Sequence, residues 1–79
     1  MKNSPDLTKL IIDIIVSVLP RYEIITEDST IMNVETWDSL AHMGIMVAIL
    51  ERTGITLNYD QMMRGTSVKS LVRIIKEIG

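Results

Sequence analysis

Seventy-nine residues, 47% of them apolar, with a formal charge of −2 and no cysteine, exclude a good deal. The chain makes one domain, residues 1–79, with a modest core. It is too apolar for disorder, has no disulfide framework or cysteine-based metal site, and lacks the concentrated basic face that nucleic-acid binding needs.

His42 is the only histidine and cannot build a metal site alone, and no stretch resembles a calcium loop. No run of eighteen apolar residues exists, so nothing is expected to span a membrane. The segment LIIDIIVSVL has the apolar character of a signal-peptide core. Asp13 interrupts it, and no small-residue cleavage site follows. The expectation is a soluble, cytoplasmic, monomeric protein.

The first predicted helix opens with Ser4 as cap, Pro5 at the first helical position and Asp6 at the positive end of the dipole. Leu7, Leu10, Ile11, Ile14, Ile15, Val18 and Leu19 recur at helical spacing as one wide stripe. Pro20 stops it. Residues 20–37 show no sustained period. A loop of this length is uncommon in a compact domain and is often functional. Tyr22, Ile24, Ile25, Ile31 and Met32 are expected to pin it to the core, with a short turn near Thr26 to Ser29.

The second predicted helix begins at Asp38 or Ser39, with Asp38 as N-cap, and stops at Gly54. Ile55 and Leu57 should be buried. Asn58 caps a short helix over Tyr59 to Arg64, which Gly65 ends. Ser67, or Thr66 beside it, caps a last helix whose apolar face is Val68, Leu71, Val72, Ile75 and Ile78. Lys69, Arg73 and Lys76 lie on its solvent side. The reading is all-α: a four-helix bundle with three main helices, one short helix and a long first loop.

The second helix carries more apolar surface than a core requires. At 100° per residue from Ser39, one stripe holds His42, Ile45, Met46, Ile49 and Thr53. A second holds Leu40, Met43, Val47 and Leu50. A surface helix normally has one such stripe. The helix is therefore either buried all round, or packs one stripe inward and docks partners with the other. Methionine at Met43 and Met46 suits adaptable contacts and core filling alike.

Ser39 stands at the seam of the two stripes, in ETWDSLAHMG (35–44). It is either a plain cap-region residue or a hydroxyl presented for chemistry. A helix N-terminus with unpaired N–H groups is hospitable to a phosphate. As a nucleophile within this chain, Ser39 has only His42 three residues on. A hydrolytic triad also needs an orienting acid and an oxyanion hole, so self-contained hydrolysis is not expected.

DSL at the start of the second of four helices resembles the acyl carrier proteins. The resemblance covers nearly the whole chain, through WDSLAHMGIMVAILERTGI, the short helix around YDQMM, and the closing TSVKSLVRII. It implies that a partner phosphopantetheinyl transferase attaches the phosphopantetheine arm of coenzyme A to Ser39, with Asp38 helping to dock and orient that enzyme's magnesium site. Acyl groups would ride on the arm as thioesters and be passed among loading and processing enzymes of fatty-acid, polyketide or related biosynthesis. The chain itself would not be an enzyme.

By the same resemblance, Leu40, Met43, Gly44, Val47 and Glu51 match partner-binding positions. Acidic residues often follow the family's serine two and five places on; here those places hold Ala41 and Gly44. Steering toward basic partners should therefore be weak and docking mostly apolar. The aromatic residue usual before GI is replaced by Thr53, which implies a different acyl pocket. These departures, with Trp37 before Asp38, resemble free-standing carriers of specialised pathways. A peptidyl or aminoacyl carrier is an alternative, although Glu35, Thr36 and Trp37 stand where such carriers usually have paired glycines. A non-carrier helical interaction module is another; a helix-turn-helix regulator would need a basic recognition helix. Trp37 is read as a loop anchor. His42 is read as a partly buried helix residue near the arm rather than a proton donor.

Overall fold

The computed structural model describes residues 4–78. Four helices are present among them: α1 (Ser4–Val18), α2 (Ser39–Thr53), α3 (Tyr59–Arg64) and α4 (Val68–Ile78). The architecture is all-α, and the main helix pairings are α1 with α2 and α1 with α4. No helix among the described residues is long and apolar enough to cross a membrane.

Helix α1 already includes Ser4, with Asp6 in its first turn. The expected cap at Ser4 and proline at the first position rest on side chains outside the described residues. Ile11, Ile14, Ile15 and Leu19 are buried, so the stripe read from spacing is the face that meets α2 and α4. Helix α2 is capped by Asp38, whose Oδ1 accepts the Ala41 N–H at 2.9 Å. It ends at Gly54 with φ 76°, a left-handed conformation that costs a residue with Cβ about 1–2 kcal/mol. Asn58 caps α3 in a reciprocal box with Gln61. Of the two candidates for the last cap, the helix uses Ser67: its Oγ accepts the Ser70 N–H at 3.0 Å, and Ser70 Oγ accepts the Ser67 N–H at 3.0 Å.

Three sequence expectations fail, in α4, in the first loop and after α2. In α4, Ile74 is buried and Ile78 is exposed. A Cβ on Gly65 would lie 2.7 Å from Leu71 Cδ2 and 3.4 Å from Ile74 Cδ1. The chain leaving α3 thus covers the Ile74 side of α4, while Ile78 sits in the last turn. In the loop, Tyr22, Ile24 and Met32 do not pin anything; Met32 is 90% exposed. Ile25, Val34 and Trp37 are the buried anchors, with Ile31 half-buried. Ile55 and Leu57 pack against the core only in part.

Hydrogen bonds replace the missing apolar anchors. The predicted turn closes with Ser29 N–H on the Thr26 carbonyl at 3.0 Å. Ile31 N–H donates to the Thr66 carbonyl at 2.9 Å, and Val68 N–H to the Ser29 carbonyl at 3.1 Å. The middle of the loop is thereby fixed to the start of α4, where Lys69 Nζ also meets Asp28 at 3.1 Å.

Candidate functional site

The two stripes of α2 separate as opposite environments. Ile45 and Ile49 are fully buried and His42 is 7% exposed, whereas Leu40 is 83% and Val47 54% exposed, with Met43 and Leu50 also outward. Met46 and Thr53 are half-buried and Glu51 is exposed. Gly44 occupies a point of close approach: a Cβ there would lie 2.9 Å from Val18 Cγ1. A side chain at this position has to displace the Val18 side chain.

Ser39 is exposed at the start of α2. Its hydroxyl makes no hydrogen bond among the described residues. In the first turn, the Ala41 N–H is taken by the Asp38 carboxylate and the His42 N–H by the Asp38 carbonyl, at 2.9 and 2.8 Å. Among the described residues the N–H groups of Ser39 and Leu40 have no such acceptor, so a partial positive charge faces outward beside an open hydroxyl.

A cavity of about 200 Å³ lies against Ser39. Helix α2 supplies Ser39, His42 and Met43; α3 supplies Met62 and Met63; Ile31 and Thr66 complete the lining. On the other side of the serine, a groove of about 290 Å³ is lined by Val18, Pro20, Asp38, Leu40, Ala41 and Gly44. Thr53 lies on neither. Its Oγ1 donates to the Ile49 carbonyl at 2.7 Å and accepts the Ile55 N–H at 3.1 Å, closing the end of α2.

The segment leading into Ser39 is held twice. Glu23 Oε2 accepts the Thr36 hydroxyl at 2.6 Å and the Thr36 N–H at 3.2 Å. Arg21 reaches Glu35 at 2.6 Å and Glu23 at 3.8 Å. The Thr36 hydroxyl bond, more than the nearby Arg21 charge, holds the Glu23 carboxyl below the ordinary glutamate value. One residue on, the Trp37 side chain is 2% exposed and its indole Nε1–H donates to His42 Nδ1 at 3.0 Å. His42 Nε2 lies 2.9 Å from the Met62 carbonyl. Both ring nitrogens of His42 are therefore engaged, and neither contacts Ser39.

Sequence reasoning singled out Ser39, Asp38, Trp37 and His42. It missed the Glu23–Thr36 pair and the part played by Met62. Glu23 and Thr36 stand thirteen residues apart in a loop with no period that would join them. Nothing in the spacing pointed to a carbonyl twenty residues beyond His42. No family model matches the chain, and no curated protein matches it.

Proposed function

We propose that the chain is an acyl carrier protein, modified at Ser39 with the phosphopantetheine of coenzyme A. The observation that carries this reading is the exposed Ser39 hydroxyl, without a hydrogen-bond partner, at the N-terminus of a helix capped by the preceding aspartate. The residues present fit the group. The α2 N-terminus favours the negative charge of a phosphodiester, and apolar recesses lie on both sides of the serine. In the modification, Ser39 Oγ attacks the β-phosphate of coenzyme A in the transferase's magnesium site. An Oγ–P bond forms as the Oγ–H proton passes to a base of the transferase, the P–O bond of the pyrophosphate breaks, and adenosine bisphosphate leaves. The arm supplies a terminal thiol on which acyl groups are held as thioesters.

The outward stripe Leu40, Met43, Val47 and Leu50 supports partner docking through apolar contact. Glu51 sits on the same helix, and Ala41 and Gly44 add no charge, so binding to loading and processing enzymes should lose little affinity at high salt. A steep salt dependence contradicts this.

The test is an intact-mass measurement after incubation with coenzyme A, magnesium and a promiscuous phosphopantetheinyl transferase. The wild-type chain is expected to gain the mass of the arm, and Ser39→Ala to gain none. Absence of a gain with several transferases turns the reading to a helical interaction module, for which the exposed stripe of α2 is the supporting observation.

A further inference from the structure

We propose that His42 sets the depth of the cavity beside Ser39 and thereby restricts the cargo to short, uncharged, apolar acyl groups; this rests on the carrier reading. The indole N–H of Trp37 can only donate. His42 Nδ1, 3.0 Å away, must therefore accept. The ring proton is then on Nε2, which donates to the Met62 carbonyl at 2.9 Å. His42 is a junction joining the loop, α2 and α3 in one neutral tautomer.

The junction matters because α3 has little else to hold it. It contributes no buried residue, and its Arg64–Asp60 pair is internal. The nearest other tie is the Ile31 N–H on the Thr66 carbonyl at 2.9 Å, beyond its C-terminal end. Among the described residues, His42 supplies the one side-chain hydrogen bond from outside the 58–66 segment to α3. Met62 and Met63 form a wall of the cavity, and His42 lies between that wall and Trp37. Widening the cavity therefore means moving α3 away from the His42 ring.

The cavity of about 200 Å³ is somewhat larger than an apolar cavity of about 150 Å³ that admits benzene, which makes room for roughly six to eight non-hydrogen atoms. Methionine side chains adapt to linear or bent apolar groups. The cavity lining has no charged side chain, so an ammonium or carboxylate drawn into it would lose hydration and gain no ion pair. That disfavours an aminoacyl group.

The test loads wild-type, His42→Asn and His42→Gln chains from acyl coenzyme A, in a series from butyryl to dodecanoyl, and measures Tm and the methyl resonances of Met62 and Met63. Wild type should be stabilised most by hexanoyl, with the gain lost at dodecanoyl. Asparagine places an acceptor near Nδ1 but cannot reach Met62, so its optimum should move to longer groups. Glutamine can reach Met62 and should keep the short optimum. A wild-type profile that is flat or rises to dodecanoyl overturns the proposal, and so does an unchanged profile in His42→Asn. If His42→Asn does not fold, the Nε2–H proton of wild-type His42 decides the tether: slow exchange with solvent supports it, and exchange at the rate of a free imidazole overturns it.

If wild type accepts no arm, the carrier reading fails, and with it the cargo limit. The His42 tether is then judged on the bare chain by hydrogen exchange. The Met62 and Gly65 amides should exchange roughly fivefold faster in His42→Asn than in wild type, with α1 and α4 unchanged. Equal rates overturn the tether.

Discussion

The side of the molecule formed by α1, α4 and the inner stripe of α2 is closed, whereas the side formed by α3 and the outer stripe of α2 is open. The first holds the fully buried Ile11, Ile14, Ile15, Ile45, Ile49 and Leu71. The second holds Ser39, the recess between α2 and α3, and a six-residue helix with no buried side chain. A small domain has a narrow stability margin. Concentrating burial on one side leaves the other free to be exposed and loosely attached without threatening the fold. Local opening concentrates where buried contacts are few, which places it at α3, beside the candidate attachment serine.

Several substitutions would break or sharpen this contrast. The largest expected loss is at Trp37, where the two sides meet. Trp37→Ala should cost about 3–5 kcal/mol in urea unfolding, because it empties a buried site and also orphans His42 Nδ1. Ile49→Ala, wholly on the closed side, should cost about 2–5 kcal/mol. Asp38→Ala removes a cap and should cost about 1 kcal/mol, read in the same experiment. A null result would mean that α2 does not depend on the bond to the Ala41 N–H.

A smaller effect is expected from acid. The Glu23 carboxyl is held below the ordinary value near 4.5 by its Thr36 bond. Its contribution to stability is therefore complete above that value and disappears as pH falls through the lower folded one. Urea midpoints measured from neutral pH into acid should fall more steeply for wild type than for Glu23→Gln; parallel curves would remove Glu23 from the support of the Ser39 segment. Smallest of all, Val47→Ala on the open side should change stability by less than about 0.5 kcal/mol and act on partner docking instead. Equal losses for Val47→Ala and Ile49→Ala would abolish the distinction between the two stripes.

The two stripes themselves were legible in the spacing of α2, because a residue's angular position on a helix follows from its number alone. The same rule misjudged α4. Ile74 is buried, and Gly65 beyond α3 lies close to its side chain. In the loop there was no period to read, and apolar character alone wrongly marked Tyr22, Ile24 and Met32 as anchors. Burial there follows backbone turns such as Thr26–Ser29 and the ties from Ser29 and Ile31 to the segment around α4. Of the candidate site, Ser39 and its Asp38 cap were readable as local chemistry. The His42 junction was not, since its partners stand five residues before and twenty after.

Helix positions, the Asp38 and Asn58 caps and the angular placement of the two stripes of α2 were legible in the sequence alone, because local propensities and a fixed helical repeat depend on neighbours along the chain. The exposure of one of those stripes was decided by packing. The tertiary structure decided which loop residues anchor, which nitrogen of His42 carries the proton, and the size of the recess beside Ser39. Those depend on groups distant in sequence that meet only when the chain is packed.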